Sequence, residues 1–403
     1  MTRDELTLNI LKLGENNNNI ILSWPTGLGK SFGSLHLAKF WQSKSILLVV
    51  AETAHKQNWS NEINKFNTMY NYNLIDQSNV LTICYASLHK YIGNYDLVIF
   101  DEAHHLFTDK RIEAIEQYKF KNVILLSATL SVGQRYHARD IFGEFAISNV
   151  SLQDVIDNDI LPTPKIKLIP LTLDNTKYDE EFIQEWGEAK KRLKIECYYT
   201  DRWKYIKNKK AYPNVHLIVK CTKRQKYNYI SEQFEYYKKL YFQRRQEFIK
   251  NKWLQLGSQR KRFLGENKTI YVKKLLEEVK NKRFICFCSS IEQAKLLGQD
   301  NAIHSERRDS LDIINDFNNK KINSLFAIGM VTEGQNLNDI EVGIITQLDG
   351  SERPFIQKLG RVLRAKDPVQ YIFYFKNTRD EEYLNDVLEN IDKHMIEVYE
   401  IHS

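Results

Sequence analysis

The chain contains little of what secreted and membrane proteins require. Its 403 residues include only seven prolines and five cysteines. The cysteines are odd in number and scattered, so the sequence does not encode a disulfide framework. No stretch approaches the roughly 20 apolar residues of a membrane-spanning helix, and residues 1–5 contain no apolar signal core. These absences predict an intracellular, cytoplasmic protein that has no membrane partner, and we expect a monomer.

One cysteine pair could suggest a metal site. Cys286 and Cys288 lie two residues apart in the apolar run Phe284 to Cys288. A structural zinc site would need a second ligand pair at a typical spacing, and the sequence offers none. We therefore interpret the run as a buried strand with thiols in the core.

Charge is distributed unevenly along the chain. The formal net charge is only +7. However, Arg202 to Arg262 contains 18 Lys and Arg against 3 Asp and Glu, a local net charge of +15, and the rest of the chain is acidic. Such an asymmetry indicates a polyanionic partner such as nucleic acid.

Short, β-branched-rich apolar runs alternate with helical stretches in two parts of the chain. This alternation predicts an α/β fold with parallel sheets buried on both faces. The first set of candidate strands is Ile20 to Leu22, Ile46 to Val50, Leu81 to Tyr85, Leu97 to Phe100 and Val123 to Leu126. The second set is Phe284 to Cys288, Ser324 to Ile328, Val342 to Ile345 and Val369 to Phe375, with a closing helix expected over Asp380 to Glu400.

The proline-containing stretch Leu161 to Pro164 marks the predicted boundary between two lobes, 1–163 and 164–403. Within the second lobe, residues 178–263 are basic, polar and mainly helical in pattern, and we name them the basic arm. Ile166 to Leu171 and Val215 to Val219 are candidate strands, and a single helix is expected over Lys223 to Leu256.

A glycine-containing loop follows the first strand. The sequence Pro25-Thr26-Gly27-Leu28-Gly29-Lys30-Ser31 lies between a strand and a helix, as a phosphate-binding loop requires. Its glycines allow backbone N–H groups to point at phosphate oxygens, and the helix N-terminus adds a positive dipole. Thr26 to Ser31 are therefore the predicted ATP-binding residues. Lys30 is expected to contact the β- and γ-phosphates, and Ser31 to ligate Mg²⁺.

Two carboxylates follow a later strand. Asp101 and Glu102 come directly after Leu97 to Phe100, so they should face the phosphate loop at the carboxyl edge of the sheet. Asp101 is the predicted Mg²⁺ ligand, acting through water. Glu102 is the predicted base that orients and deprotonates the attacking water.

These motifs together resemble those of superfamily 2 helicases. Asp101-Glu102-Ala103-His104 and Ser127-Ala128-Thr129 resemble motifs II and III, and Lys56 to Trp59 with Glu62 lies where that family has its motif Ia region. Thr332 to Leu337 resembles motif V. Gln357 to Arg364 matches the motif VI pattern Q-x-x-G-R-x-x-R. The resemblance implies two RecA-like P-loop NTPase lobes with an ATP cleft between them.

The resemblance also implies roles for the matching positions. Arg361 and Arg364 would reach ATP from the second lobe, and Gln357 would sense the γ-phosphate or the attacking water. Gly334 would lie near the ATP cleft. His104, Ser127 and Thr129 would couple the state of ATP to the position of the lobes. Nucleic acid would cross both lobes near Thr53, His55, Ser289 and Thr332.

The sequence departs from the family pattern in two respects. Residues 1–19 contain no glutamine, which many members use to read adenine, and Trp24 stands where the loop pattern usually begins with Gly or Ala. ATP is the expected nucleotide, but the choice of adenine is left open.

The basic arm combines cations with aromatic residues, which suits contacts to phosphates and to unpaired bases. Its predicted nucleic-acid contacts are Lys238, Lys239, Arg244 and Arg245. We expect an ATP-dependent helicase or translocase that acts on forked or branched DNA in preference to RNA. The chain resembles compact helicases of phages and mobile elements. The alternatives are a double-strand DNA translocase that does not unwind, an RNA helicase, and a nucleic-acid-gated ATPase that acts as a sensor.

Overall fold

The computed structural model describes residues 2–70, 79–128, 130–177, 180–184, 193–208, 211–212, 214–328, 337, 339–349, 352–389 and 391–402. Two parallel sheets organise these residues, and a smaller sheet and a helical hairpin follow the first strand of the second sheet in sequence. This is the tandem α/β arrangement that the alternating pattern predicts.

The first sheet has six parallel strands in the order β3-β2-β4-β5-β1-β6. Successive residues of its central strands belong to different core clusters, Leu97 and Ile99 to one and Val98 and Phe100 to the other, so both faces are covered. The elements of this part are α1 (Arg3–Asn16), β1 (Asn19–Ser23), α2 (Lys30–Phe40), β2 (Ile46–Val50), α3 (Thr53–Met69), β3 (Val80–Cys84), β4 (Asn94–Phe100), α4 (Asp109–Ile115), β5 (Lys119–Ser127), α5 (Val132–Phe142), β6 (Ala146–Asn149) and α6 (Leu152–Asp157).

The order of this sheet positions the candidate site. β5 lies between β1 and β4, and all three strands run in the same direction. The phosphate loop after β1, the carboxylates after β4 and Ser127 at the end of β5 therefore meet at one edge.

The chain then enters the region of the basic arm. β10 pairs with β9 in parallel and with β8 antiparallel, which gives a three-stranded sheet. The arm is thus not only helical. The elements here are β7 (Lys165–Thr172), β8 (Glu180–Gln184), β9 (Leu193–Tyr198), α7 (Arg202–Lys207), β10 (Val215–Lys220), α8 (Lys223–Arg244) and α9 (Glu247–Asn267).

Helices α8 and α9 form an antiparallel pair, which we name the hairpin. Tyr241 stacks on Trp253 with ring centroids 5.7 Å apart, and a Cβ added at Gly257 would lie 3.1 Å from the Phe234 ring. The single helix predicted over Lys223 to Leu256 is wrong, because Arg245 adopts a left-handed conformation (φ 52°) that ends α8.

The second sheet has the order β12-β13-β11-β14-β15-β7-β16, again with parallel pairing. Cys286 and Cys288 are buried in β11, as expected of core thiols. The remaining elements are α10 (Thr269–Val279), β11 (Phe284–Cys288), α11 (Ile291–Gly298), β12 (Ala302–Ile303), α12 (Ser310–Asn318), β13 (Ser324–Ile328), β14 (Val342–Ile345), α13 (Glu352–Val362), β15 (Val369–Lys376), α14 (Arg379–Leu388) and β16 (Ile396–Val398).

The end of the chain differs from expectation. The helix predicted over Asp380 to Glu400 stops at Leu388. The following segment instead forms β16, which pairs with β7 at Ile166 to Leu168. Pairing within the sheet therefore overrides the local helical pattern. Across the described ranges, no helix combines the length and apolar character needed to cross a lipid bilayer.

Candidate active site between the two sheets

A cavity of about 790 Å³ lies between the two α/β parts. The phosphate loop, α1 and α3 form one wall, and α13 contributes to the other. Of the predicted site residues, the following line it: Thr26, Gly27, Leu28, Gly29, Lys30, Ser31, His55, Asp101, Glu102, Gln357, Arg361 and Arg364.

The phosphate loop has the backbone that its glycines allow. Gly27 and Gly29 have φ values of 91° and 96°, a region that residues with a Cβ rarely adopt. Gly29 is the N-cap of α2, and no side chain caps the helix, so its first N–H groups face the cavity. The Lys30 ammonium donates a hydrogen bond to the Trp24 carbonyl at 3.0 Å, which holds it across the loop.

The structure explains the departure at Trp24. Its side chain is 2% exposed and its indole N–H donates to Ser148 Oγ at 2.9 Å. A Cβ added at Gly33 would lie 3.2 Å from the same indole. The large residue therefore packs behind the loop, and the space in front of the glycines stays open.

Two partly buried hydrogen bonds fix the position of Asp101. The Trp59 indole donates to Asp101 Oδ2 at 2.8 Å, and Tyr85 donates its hydroxyl to the Asp101 carbonyl at 3.0 Å. Burial, together with the charge of Glu102, raises the pKa of Asp101. A nearby cation would lower it again, so the position favours a bound positive charge.

Glu102 begins a tight turn, with φ 48° and ψ 56°. Its carboxylate lies 3.4 Å from His104 Nδ1. Burial alone would raise the pKa of Glu102, but the contact with His104 and the charge of Lys30 outweigh it and lower the pKa to about 2. Glu102 is therefore ionised at neutral pH, as a base that accepts a proton from water must be.

Helix α13 brings the second group of residues to the cavity. Gln357 and Arg361 are each 7% exposed, although both side chains line the cavity. Gly360 lies between them, and a Cβ added there would lie 2.8 Å from Thr26 Cβ. The absence of a side chain at Gly360 thus allows α13 to approach the phosphate loop directly. Arg364 lies one turn further along, where its guanidinium contacts the Leu337 carbonyl at 3.4 Å.

The donor set fits a magnesium nucleotide. Ser31 and Asp101 present hard oxygen donors to one cavity, which is the ligand type that Mg²⁺ prefers. Loop N–H groups, Lys30 and Arg361 supply positive charge for a polyphosphate. These residues would hold the phosphates, and Ser31 and Asp101 would hold the ion.

The predicted nucleic-acid and coupling residues differ in their surroundings. His55, at the start of α3, is 1% exposed and lines the cavity. Thr53 is exposed, and Ser289 is half-buried with its hydroxyl bonded to Gln293. Ser127 is fully buried at the end of β5. Thr129, Thr332 and Gly334 lie outside the described residues.

Helix α1 also contributes to the cavity, which the motifs in the sequence do not indicate. Arg3 lies 3.5 Å from the Gly27 carbonyl, and Asp4 and Thr7 also line the cavity. His36 and Tyr70 complete this side, with ring centroids 4.7 Å apart. The available signal was the capping box of Thr2 and Glu5, which begins a helix just before β1.

Comparisons with known proteins agree with this architecture. The model of the Type III restriction enzyme, res subunit, matches residues 3–132, and the model of the helicase conserved C-terminal domain matches residues 267–366. No curated protein sequence matches the chain.

Two solved structures, those of Dbp5 and Mss116p, resemble the whole fold. S. cerevisiae Dbp5 bound to RNA and ADP BeF3 has 11% identity and a TM-score of 0.57, with 99% of this chain and 95% of that chain covered. Mss116p bound to ssRNA and AMP-PNP has 12% identity and a TM-score of 0.55, with 96% and 72% covered. The Pyrococcus furiosus Hef helicase domain has 14% identity and a TM-score of 0.49, with 94% and 96% covered. At these identities the likeness concerns the fold.

Proposed function

Because this chain is a superfamily 2 helicase with two RecA-like lobes, and therefore an ATP hydrolase, we propose that it uses ATP to move along forked or branched DNA. The close approach of Gly360 to Thr26, which brings the motif VI helix against the phosphate loop, supports the ATP-driven part of the proposal. The exposed cations and aromatic rings of the hairpin support the nucleic-acid part. Hydrolysis in such a cleft depends on how closely the two lobes approach.

The site supports a division of labour between the lobes. Lys30 and the loop hold the phosphates, Ser31 and Asp101 hold Mg²⁺, and Glu102 takes the proton of the attacking water. Arg361 and Arg364 stabilise the charge that develops on the transferred phosphoryl group, and they do so only when α13 is close. Gln357 responds to the γ-phosphate, and His104 and Ser127 pass the nucleotide state to the rest of the lobe.

The hairpin supports a nucleic-acid partner. Lys239, Arg244 and Arg245 are exposed near its tip, and Phe242 and Phe248 beside them are 52% and 68% exposed. Cations can neutralise phosphates while exposed rings stack on unpaired bases. A projecting element of this kind suits a junction where duplex and single strands meet.

The substrate test compares ATP hydrolysis in the presence of single-stranded DNA, duplex DNA, forked DNA and RNA of matched length. We expect forked DNA to stimulate hydrolysis most and to be unwound in a strand-displacement assay. Stimulation by duplex DNA without unwinding would favour a double-strand translocase. Stimulation without unwinding or movement on any substrate would instead identify a nucleic-acid-gated ATPase.

An RNA helicase is the second candidate, because the structures of Dbp5 and Mss116p that resemble this chain contain RNA. In the same assay, stimulation and unwinding by RNA alone would establish it and contradict the DNA proposal.

The role of the hairpin is tested by salt dependence. Replacing four cations with glutamine should weaken DNA binding and reduce the slope of log K against log salt by about 3 to 4, since each phosphate contact contributes about 0.9. The four are Lys238, Lys239, Arg244 and Arg245. Titrations at several salt concentrations measure the slope, and the matched control replaces four exposed lysines elsewhere, Lys12, Lys110, Lys280 and Lys320. Equal slopes in the wild type and the hairpin variant would show that this surface does not bind DNA.

A further inference from the structure

A single carboxylate joins the hairpin to the helix that carries the second half of the active site. Asp349 follows β14 and lies between two lysines. Its Oδ1 is 3.1 Å from Lys261 Nζ on α9, and its Oδ2 is 3.1 Å from Lys358 Nζ on α13. Each carboxylate oxygen therefore pairs with a lysine on a different helix, α9 or α13.

The base of the hairpin is fixed firmly to the second sheet. Lys268, at the end of α9, is fully buried and pairs with Asp380 at 2.7 Å. The same ammonium donates to the Thr346 carbonyl at 2.7 Å and to Gln347 Oε1 at 3.1 Å. The helix backbone at Gly265 is pressed against Ser289, since an added Cβ would lie 2.2 Å from its side chain. A displacement of the hairpin should therefore also displace the residues at its base, because buried contacts join the base to the second sheet.

The other partner of Asp349 is Lys358, which lies on α13 in the second wall of the cavity. Lys358 directly follows Gln357 and precedes Gly360 and Arg361 on α13. Its side chain is 11% exposed, and its ammonium lies 5.7 Å from the centre of the Phe287 ring. A displacement of Lys358 would carry Gln357 and Arg361 with it, because one helical turn holds them together.

The ionised form of Asp349 is stabilised when both lysines are in place. Partial burial would raise the pKa of Asp349, but the charges of Lys358 and Lys261 outweigh it and hold the pKa below its usual value. Loss of one lysine leaves the carboxylate held from one side only. Lys261 itself is 36% exposed, so its pairing contributes little to folding stability and can be removed without unfolding the protein.

We propose that Asp349 and Lys261 are positioning residues that link nucleic acid bound on the hairpin to the placement of α13, and so of Arg361, in the ATP cleft. This link rests on the proposed function, since it assumes that the hairpin contacts nucleic acid. The hairpin acts as a lever: Lys261 lies about 20 Å along α9 from its first residue, Glu247, at 1.5 Å per residue. Movement at the tip reaches Asp349 through the fixed base and then reaches α13 through Lys358.

The test measures ATP turnover of Lys261→Gln without nucleic acid and with saturating forked DNA. The expected result is an unchanged basal rate, unchanged DNA affinity and an unchanged KM for ATP, with DNA-stimulated kcat lowered about fivefold, the lower range of typical coupling between sites. The matched control is Lys282→Gln, which breaks a similar lysine–carboxylate pair, Lys282 with Glu341 at 3.3 Å, at the opposite end of β14. The control should retain full stimulation.

A second variant separates the link from a general loss of structure. Asp349→Asn keeps the size of the side chain and should reproduce the loss of stimulation while the circular-dichroism spectrum and a cooperative unfolding transition show that the fold is retained. Combining it with Lys261→Gln should add no further loss, because both changes break the same connection. Additive losses would overturn the proposal.

The outcomes distinguish failure of the link from failure of the proposed function. If wild-type ATPase is stimulated and Lys261→Gln is stimulated equally, the link is overturned while the proposed function stands. If no nucleic acid stimulates the wild type, both are overturned.

Discussion

The two walls of the cavity between the sheets are built in different ways. On the first wall, Asp101 is held by hydrogen bonds from Trp59 and Tyr85, and Glu102 lies beside His104. These groups are fixed by the sheet behind them. On the second wall, Gln357 and Arg361 share one helix that meets the phosphate loop at Gly360. In the proposed mechanism, the first wall holds its groups in place before ATP binds, whereas the second wall contributes only when α13 lies close to the phosphate loop.

The largest expected effect is on the first wall. Glu102→Gln should lower kcat by up to about 10,000-fold, because the amide cannot accept the proton of water. ATP affinity should stay near that of the wild type, since the loop that holds the phosphates is unchanged. Steady-state turnover and direct nucleotide binding measure the two quantities. Glu113→Gln, at an exposed position on α4, is the control, and turnover of the Glu102 variant at the control rate would refute the assignment.

The corresponding change on the second wall is Arg361→Ala. It should lower kcat about 1,000-fold, as expected for an arginine that stabilises phosphoryl-transfer charge from a separate element. Arg361→Lys should recover little activity, because an ammonium lacks the planar fork of a guanidinium. Single-turnover hydrolysis is the measurement, with the exposed Arg308→Ala as control. Full recovery by lysine would mean that charge alone matters at this position.

The contact between the walls is tested by Gly360→Ala. The added methyl group would lie 2.8 Å from Thr26 Cβ, so α13 must move away from the loop. We expect kcat to fall about tenfold, because small displacements of catalytic groups are costly. The free energy of unfolding should change little, because the higher helix propensity of alanine offsets part of the cost of moving α13.

Gly133→Ala on α5 is the control for Gly360→Ala, because a Cβ added at Gly133 has no neighbouring atom within 4 Å. If Gly360→Ala retains wild-type kcat, the distance between α13 and the phosphate loop does not limit turnover. The two walls would then not differ in the way proposed.

The smallest expected effect is on the pH dependence of kcat. Glu102, with a pKa of about 2, is ionised throughout the neutral range, so it should produce no acid limb in kcat. His104→Ala removes a contact that lowers this pKa. The pKa of Glu102 should therefore rise, and activity should decline as the pH falls through the new value. Comparison of kcat profiles for the two proteins provides the measurement, and superimposable profiles would show that His104 does not set the charge of Glu102.

The sequence predicts the first wall well because local signals determine it. Strands followed by Gly27 to Ser31 and by Asp101-Glu102 specify both the fold and the edge where these residues meet. The pattern Gln357 to Arg364 locates the second wall only through resemblance to a family, since nothing local indicates which cavity its arginines line.

Other features depend on contacts between distant residues and could not be predicted. The bend at Arg245 and the strand Ile396–Val398 arise where pairing of helices or strands overrides local preference. Trp24 departs from the usual loop pattern, and the residue that accommodates it, Ser148, lies on a strand far along the chain. The burial of His55 and the bridge at Asp349 likewise require the folded structure.

The position of β7 has a consequence for the order in which the protein folds during synthesis. β1 to β6 can pair as soon as residues up to Asn149 have been made, because all their partners lie in that part of the chain. β7 is made next, but it pairs with β15 and β16, which are made last. The nascent chain therefore carries an unpaired strand through the synthesis of the hairpin and most of the second sheet. A ribosome that pauses in this interval would expose Lys165–Thr172 to chaperones or to the edge of another chain.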